Sequence, residues 1–311
     1  MNFTEKDYLA SILRKGEMVI ANAKVNLSID VLGVRPEDGY HLVKMIMQQI
    51  PLHDRLFFFI GEKSHILPET TPIDNQISLA CNSRRLPLNE KNLVYKAAKL
   101  LLDEARISDP VSIYIEKHIP AGGGLGGGSA DAAGVLLGLN RIFCLGKTLP
   151  ELYSFGKMLG SDVPFMISGG AGLAEGTGTD LTRLSPLKKG YLLLVNPNIF
   201  LSTELVYKTL DEMEVPDESH PDTDLLLEAL RAQDFYTFAK NMKNVLELPA
   251  FQIKPEVKEL KEDILNRGAV GAMMSGSGAT VFGLYDNEQK AKEAMFYYRS
   301  RKFFSTFTPL Y

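Results

Sequence analysis

The sequence predicts an α+β protein with two domains. Its 311 residues are about twice the length of a typical domain. Predicted strands and helices follow one another in a mixed order, which favours α+β over a doubly wound sheet with steady β–α alternation. Hydrophobic residues make up 45% of the chain and charged residues 23%. These fractions are close to those of folded globular proteins, which excludes wholesale disorder, collagen and coiled coil.

The first predicted element of the N-terminal half is a strand at residues 24–31. Apolar and polar side chains alternate there, with Lys24 and Asn26 on the polar face, as in a half-buried strand. The other predicted elements of this half are a turn at 35–39, strand segments at 45–60 broken at 51–54, a loop-rich region at 61–91, a helix capped by Asn92, a strand at 111–115, and helices at 129–140 and 149–159.

The C-terminal half is predicted to mix helices and strands. Gly169–Gly178 forms a second glycine-rich stretch and is a plausible crossing between domains. The predicted elements are strands at 191–195, 269–274 and 280–285, an acidic surface loop at 211–223, and helices at 224–232, 234–247, 256–267 and 287–299. The loop Ser275–Gly278 joins the last two strands.

Charge and cysteine content exclude several classes of function. Lys and Arg total 34 and Asp and Glu 38, so the formal charge is −4, which disfavours nucleic-acid binding. No apolar run reaches the ~18 residues of a membrane helix, and the N-terminal residues do not resemble a signal peptide. The chain has 2 cysteines, too few for a disulfide framework or a four-cysteine zinc site. We therefore expect a cytoplasmic protein with no membrane partner.

The densest glycine cluster has the arrangement of a phosphate-binding loop. Six of the seven residues 122–128 are glycine, and they lie between a predicted strand and a predicted helix that follows Ser129. Glycines let the backbone approach an anion closely, and the N–H groups at the helix start supply positive potential. A flexible linker is the alternative, although linkers do not normally stand between a strand and an apolar helix.

Three familiar phosphate loops match this segment poorly. The loop contains no lysine, whereas a Walker A motif requires Gly-Lys-Ser/Thr. Gly122, Gly124 and Gly127 match the dinucleotide pattern, but a loop replaces the acidic strand end expected ~20 residues later. A dinucleotide-binding oxidoreductase is thus disfavoured but not excluded. A protein kinase is disfavoured because the chain lacks both His-Arg-Asp and Asp-Phe-Gly.

Three segments together resemble the motifs of the GHMP small-molecule kinases. The central segment, Pro120–Ala133, resembles the ATP-binding motif of that family. Ala23–Leu27 is similar to the N-terminal motif and Ser275–Phe282 to the C-terminal glycine motif. One departure is Ala130, where many members carry a second serine after Ser129.

The resemblance implies the two-domain fold of this family. That fold combines a ribosomal protein S5 domain 2-like N-terminal domain with a ferredoxin-like C-terminal domain. Residues 1–170 would then form the ATP-binding domain and residues 171–311 the substrate domain. The implied phosphoryl donor is ATP, Mg²⁺ is expected with it, and no protein residue is assigned as a metal ligand.

Two further segments resemble one branch of the family. Asp38–His41 and Gly160–Phe165 are similar to members whose acceptor is a methylated sugar alcohol carrying a cytidine diphosphate group. The resemblance implies Asp162 as catalytic base and Lys24 as its partner. From the sequence alone, Asp162 also fits a helix N-cap and Lys24 a solvated strand lysine.

The resemblance also implies two sets of binding residues. Those for ATP are Pro120, Ala121, Gly122, Gly123, Gly124, Leu125, Gly126, Gly127, Gly128 and Ser129, with Asn92 and Lys96 near the adenosine. Those for the acceptor are Asn26, Tyr40, His41, Thr203 and Tyr207, of which His41 would hydrogen-bond the cytosine edge.

Other functions stay open at this point. The chain could be a GHMP kinase acting on mevalonate-type or sugar alcohols, or a nucleotide-binding protein without catalysis. In each case the expected partners are small-molecule nucleotides, and no obligate protein partner is indicated.

Overall fold

The computed structural model describes residues 17–61, 71–84 and 86–310. Two long strands, β1 (Glu17–Val34) and β2 (His41–Ile60), pair with each other. The predictions for residues 1–16, and for the part of the 61–91 region between 62 and 70, lie outside the described residues.

The chain divides into two compact units, and each contains parts of β1 and β2. Among the described residues, the first unit comprises 17–23, Leu52–Ala121 and Gly127–Ser168. The second unit comprises Lys24–Pro51, Gly122–Gly126 and the chain from Gly169 onward. The predicted functional division, 1–170 and 171–311, stays a prediction.

The first unit packs helices against a mixed sheet. Besides the first part of β1, its strands are the second part of β2, β3 (Thr71–Pro72), β4 (Ile77–Cys81) and β5 (Val111–Glu116), in the order β3-β4-β5-β2. β4 runs parallel to β5, and β5 runs antiparallel to β2. Its helices are α1 (Leu93–Glu104), α2 (Gly127–Ile142), α3 (Leu149–Leu159) and α4 (Val163–Ser168).

The break predicted at residues 51–54 is wrong, because strand β2 runs through these residues. The strand is continuous through Pro51. Residues 45–48 pair with one neighbour and residues 55–60 pair with another, β5. Pro51 lies between these two ladders, at a position where the missing N–H group removes none of their hydrogen bonds.

Glycines bring α2 close to β2 within the first unit. A β-carbon placed on Gly138 would lie 2.9 Å from the ring of Phe58, and one on Gly134 would lie 2.7 Å from Leu56. The predicted helix is confirmed, and it begins at Gly127, within the glycine cluster. The last glycines of the cluster therefore form the first helical turn.

The second unit contains two groups of strands. The first part of β2 continues through β6 (Ala171–Glu175) to β7 (Asp180–Leu184), all antiparallel. A separate antiparallel sheet has the order β11-β8-β10-β9, formed by β8 (Tyr191–Asn196), β9 (Gly271–Met274), β10 (Val281–Tyr285) and β11 (Phe304–Pro309).

The second unit also contains several helices. They are α5 (Thr203–Asp211), α6 (Thr223–Ala232), α7 (Phe235–Asn241), α8 (Glu247–Ile253), α9 (Pro255–Asn266) and α10 (Glu288–Ser300), with a 3₁₀ turn at Asp217–Ser219. Of these, α9 packs against β9 and β10, and α10 packs against β8 and β11.

The glycine-rich stretch 169–178 begins at the boundary between the two compact units and contains strand β6. The helix predicted at 234–247 is wrong in its length, because α7 ends at Asn241 and α8 begins only at Glu247. The chain between them pairs with β1 instead, because Ile29 N–H donates to the Lys243 carbonyl and Val245 N–H donates to the Ile29 carbonyl.

Candidate active site

The polar face of β1 is buried in the second unit. Lys24 is 4% exposed and Asn26 is 1% exposed. The Lys24 Nζ donates to Asn26 Oδ1 at 2.5 Å. A buried ammonium is costly unless it has polar partners. The interpretation of Lys24 as a solvated strand lysine is therefore wrong, and so is the prediction that this strand is only half buried.

The three GHMP-like segments meet around Ser275. The Ser275 hydroxyl donates to the Gly124 carbonyl at 3.0 Å and accepts from the Asn26 N–H at 3.4 Å. The Lys24 N–H donates to the Leu125 carbonyl at 3.0 Å. These bonds hold the loop Gly122–Gly126, strand β1 and the turn between β9 and β10 against one another within the second unit.

The close approach at this junction requires glycine at position 124. Gly124 has φ +75°, and a β-carbon there would lie 1.9 Å from the Ser275 carbonyl oxygen. Gly276 faces the same junction, since its β-carbon would lie 3.0 Å from the Gly124 carbonyl oxygen. Local sequence cannot indicate this contact, because the two glycines come from distant parts of the chain.

Two buried polar residues that the sequence analysis missed support the turn after β9. The Asn244 side chain donates to the Met274 carbonyl at 2.9 Å and to the Gly276 carbonyl at 2.8 Å. Glu247 accepts from the Met274 N–H at 2.8 Å and pairs with Lys261 at 2.6 Å, while burial raises the pKa of the Glu247 carboxyl. Neither residue belongs to a motif, so no sequence signal identifies them.

The predicted acceptor residues form two groups in the second unit. The Thr203 hydroxyl lies 2.7 Å from that of Ser277, which ties the start of α5 to the C-terminal glycine motif. The His41 ring lies beside Tyr207, with centroids 4.5 Å apart. Tyr40, which precedes His41, is 58% exposed.

The predicted ATP residues outside Gly122–Gly126 belong to the first unit. Pro120 and Ala121 line a cavity of about 240 Å³ together with Ser83, Leu86, Lys117, His118 and Ile119. Asn92 caps α1 by accepting from Val94 N–H at 2.9 Å, and its amide donates to the Pro87 carbonyl at 2.7 Å. Lys96 is exposed on the next turn of α1.

A buried charge cluster lies under the start of α2 in the first unit. Lys117 Nζ binds Asp54, and it lies 2.7 Å from Asp131 Oδ2. Asp54 also accepts from the N–H groups of His118 at 2.6 Å and Ile119 at 2.8 Å. Asp131 Oδ1 is buried without a hydrogen-bond partner. Burial, together with the charge of Asp54, raises the pKa of Asp131 to about 7 although Lys117 opposes the shift.

Asp162 occupies the N-cap position of α4 in the first unit. Its carbonyl accepts from the Met166 N–H at 3.0 Å, and Pro164 is the second residue of the helix. The N-cap interpretation is therefore confirmed for the backbone. A catalytic role and a pairing with Lys24 both stay predictions.

Comparison with known proteins adds to this geometry. The family model "GHMP kinases N terminal domain" matches residues 92–170, and "GHMP kinases C terminal" matches residues 226–302. A protein of Lachnoclostridium phytofermentans called 4-diphosphocytidyl-2-C-methyl-D-erythritol kinase is 42% identical over 90% of this chain and 91% of its own length. One of the same name from Alkaliphilus metalliredigens is 44% identical over 88% of this chain and 89% of its own.

The chain belongs to the 4-diphosphocytidyl-2-C-methyl-D-erythritol kinase family of GHMP kinases. A crystal structure of a 4-(cytidine 5'-diphospho)-2C-methyl-D-erythritol kinase is 32% identical, covers 94% of this chain and 99% of its own, and has a TM-score of 0.74. A homoserine kinase of Cytophaga hutchinsonii, 18% identical with a TM-score of 0.72 over 96% of this chain and 95% of its own, shows the same fold.

Membership of the GHMP kinases confirms two predictions and excludes one alternative. The two-domain α+β fold and the assignment as a small-molecule kinase are confirmed. The alternative of a dinucleotide-binding oxidoreductase is wrong, because the glycine loop lies within the region that matches the GHMP kinase model. In the described residues, no helix combines the length and apolar character needed to cross a membrane.

Replacing Gly124 by alanine should lower both the stability of the protein and its affinity for ATP. The added β-carbon meets a backbone oxygen, and φ +75° strains any residue with a β-carbon. We expect a loss of about 2–5 kcal/mol in the free energy of unfolding and at least a ~10-fold weaker ATP affinity. Urea denaturation and calorimetric titration with ATP measure the two effects.

Gly146→Ala is the matched control for this substitution. Gly146 has φ +66°, yet a β-carbon there has no atom within 4 Å. Backbone strain alone should cost about 1–2 kcal/mol, and ATP affinity should not change. Equal effects of the two substitutions on ATP affinity would contradict the assigned role of Gly124.

Replacing Asp131 by asparagine should change how stability depends on pH. The pKa of Asp131 is raised from 3.8 to about 7, so the folded protein keeps a proton that the unfolded chain releases above about pH 4. As the pH rises from about 4 to 7, Asp131 therefore decreases the free energy of unfolding. The Asp131→Asn variant has no carboxyl group at this position and does not show this decrease.

Thermal unfolding across this pH range provides the measurement. The melting temperature of the Asp131→Asn variant minus that of the wild type should rise from about pH 4 to 7 and then level off. Asp103→Asn, at the exposed end of α1, is the control for the same substitution at a position that is not buried. A flat or falling difference for Asp131→Asn would show that burial does not favour the protonated carboxyl.

Proposed function

We propose that the chain transfers the γ-phosphoryl group of ATP to the 2-hydroxyl of 4-diphosphocytidyl-2-C-methyl-D-erythritol. The products would be its 2-phosphate and ADP, in the non-mevalonate isoprenoid pathway. The observation that carries the proposal is that relatives with this name, 40–44% identical, match about nine-tenths of the chain. A cytoplasmic location fits the proposal, because ATP is supplied there.

Asp162 and Lys24 would carry the chemical step. The acceptor oxygen is on a tertiary carbon and is therefore a hindered nucleophile. As this oxygen forms a bond to the γ-phosphorus, the bond from that phosphorus to the β–γ bridging oxygen breaks, and the Asp162 carboxylate takes the hydroxyl proton. The Lys24 ammonium would orient the acceptor oxygen and offset negative charge on the transferred group. The buried contact between Lys24 and Asn26 supports this role, because it fixes where the ammonium lies.

Backbone groups would bind the nucleotide. Gly122–Gly128 and Ser129 would surround the phosphates, and the N–H groups of the first turn of α2 would supply the positive potential. The cavity lined by Ser83, Leu86 and the segment Lys117–Ala121 is the candidate place for the adenosine, since that segment directly precedes the loop in the chain. The Asn92 amide donates to the carbonyl of Pro87, which follows the lining residue Leu86, and Lys96 would lie near the adenosine.

Mg²⁺ would enter with ATP and neutralise phosphate charge. Within the described residues, no group of three or more His, Cys, Asp and Glu side chains could hold a metal ion. Asp131 is 1% exposed and its Oδ2 binds Lys117, which leaves only its Oδ1 without a partner. Phosphate and water oxygens would therefore supply most of the ligands, as is common for this cation.

The cytidine group would bind at the start of β2. His41 would hydrogen-bond the cytosine edge, Tyr40 and Tyr207 would cover the ring, and Thr203 and Asn26 would contact the rest of the acceptor. The contact between His41 and Tyr207 supports this pocket. In this scheme residues 1–170 mainly serve ATP and residues 171–311 mainly serve the acceptor.

A coupled assay of ADP release tests the proposed function. The acceptors compared are 4-diphosphocytidyl-2-C-methyl-D-erythritol, mevalonate and homoserine. We expect turnover with the first alone. Turnover with only mevalonate or homoserine would assign another GHMP acceptor, and ATP binding without turnover of any of the three would contradict the proposed reaction.

A further inference from the structure

Asp211 belongs to none of the motifs, and it contacts His41, the residue that is proposed to hydrogen-bond the cytosine. His41 Nε2 lies 2.7 Å from Asp211 Oδ1. Tyr207 and Asp211 are four residues apart on α5, so they lie on the same face of that helix. Both contact His41, one through its ring and the other through its carboxylate. The helix therefore provides His41 with a packing partner and an acceptor at the same time.

The chemistry of the pair determines which nitrogen of His41 carries the proton. An ionised carboxylate has no proton to donate, so the Nε2 that contacts it must be the N–H donor. In the neutral ring, Nδ1 is then left with a lone pair and can only accept. Both side chains are partly open to solvent, with exposed fractions of 17% for His41 and 44% for Asp211.

We infer that Asp211 is a specificity-determining positioning residue that makes the pocket prefer cytosine over uracil. By accepting from Nε2–H, Asp211 keeps Nδ1 of His41 as an acceptor. Cytosine presents an exocyclic amino donor at the position where uracil presents a carbonyl oxygen. An acceptor on His41 binds the amino group and opposes the carbonyl. The inference rests on the proposed function, because it takes the base to bind at His41.

The contrast between Asp211→Asn and Asp211→Glu tests this role. An asparagine amide can donate to Nε2, which permits the other tautomer with a donor at Nδ1. With both tautomers permitted, the His41 ring of this variant would bind uracil as well as cytosine. A glutamate keeps the carboxylate and should restore at least part of the preference. Glu212→Gln is the matched control, since it removes the same charge at the next, also exposed, position.

Binding of cytidine 5'-diphosphate and uridine 5'-diphosphate can be measured by calorimetry, with the ATP site saturated by a non-hydrolysable ATP analogue. We expect the wild type and Glu212→Gln to prefer the cytidine compound by at least ~10-fold. Asp211→Asn should reduce the ratio to below ~3-fold. Nitrogen chemical shifts of the His41 ring should report a proton on Nε2 in the wild type.

Several results would overturn the inference. One is an Asp211→Asn variant whose ratio of cytidine to uridine diphosphate affinity equals that of the wild type. This includes the case in which the variant binds both nucleotides more weakly by the same factor, as a merely structural role of Asp211 would produce. A second is a His41 ring that carries its proton on Nδ1 in the wild-type protein. A third is a wild-type protein that binds neither cytidine nor uridine diphosphate. Failure of the proposed function is distinguishable, because it would appear as absent phosphorylation of the cytidine acceptor while the nucleotide ratio is still measured.

Discussion

Replacing Lys24 by methionine should lower kcat for the cytidine acceptor by at least ~100-fold. Methionine has a similar length but no charge, so the substitution removes the ammonium with little change of packing in β1. Lys24 is 4% exposed and donates to Asn26, so water cannot readily replace it. The KM values should change much less than kcat, since in the proposed mechanism the ammonium acts on charge that develops in the transition state.

Steady-state kinetics with matched variants measure this effect. Lys44→Met is the control, because Lys44 is a partly exposed lysine on the neighbouring strand β2, and kcat should stay within ~2-fold of the wild type. Circular dichroism and thermal unfolding verify that both variants are folded. A folded Lys24→Met variant that retains more than a tenth of the wild-type kcat would exclude Lys24 from the chemical step.

Replacing Asp162 by asparagine should also lower kcat by at least ~100-fold, the lower end for loss of a general base. Asparagine is as good an N-cap as aspartate. Helix α4 should therefore begin at the same residue, and the melting temperature should stay within a few degrees of the wild type. The substitution separates the two interpretations of this position, because it removes the proposed base and preserves the cap.

Asp222→Asn is the matched control for Asp162→Asn. Asp222 is the N-cap of α6 and accepts from the Leu225 N–H at 3.0 Å. The same chemical change there should leave kcat unaltered. If Asp162→Asn reduced kcat by no more than Asp222→Asn, Asp162 would be only a helix cap.

The sequence predicts the family of this protein better than the burial of its polar residues. Alternation in residues 24–31 predicts the strand correctly, but it cannot show that α7, α8 and the turn after β9 lie near it. Tertiary packing therefore buries Lys24 and Asn26, which the pattern alone places on a polar face. The motifs at Ser275 and Gly124 are visible in the sequence, whereas the bond that joins them is not.

The residues that the sequence analysis missed share one physical property. Lys117, Asn244 and Asp211 act through partners that are distant in the chain, so spacing rules for helices and strands give no signal for them. The break predicted at residues 51–54 failed for a related reason. A proline usually interrupts a strand, but Pro51 lies between two ladders with different partner strands.

The regiochemistry of the product tests the proposed reaction most directly. Carbon 2 of the methylerythritol unit carries a methyl group and no hydrogen, so a phosphate on its oxygen has no three-bond coupling to a proton. We expect the new phosphomonoester of the wild-type product to give a phosphorus resonance unsplit by such coupling. A doublet from carbon 3, a triplet from carbon 1, or no phosphomonoester at all would contradict transfer to the 2-hydroxyl.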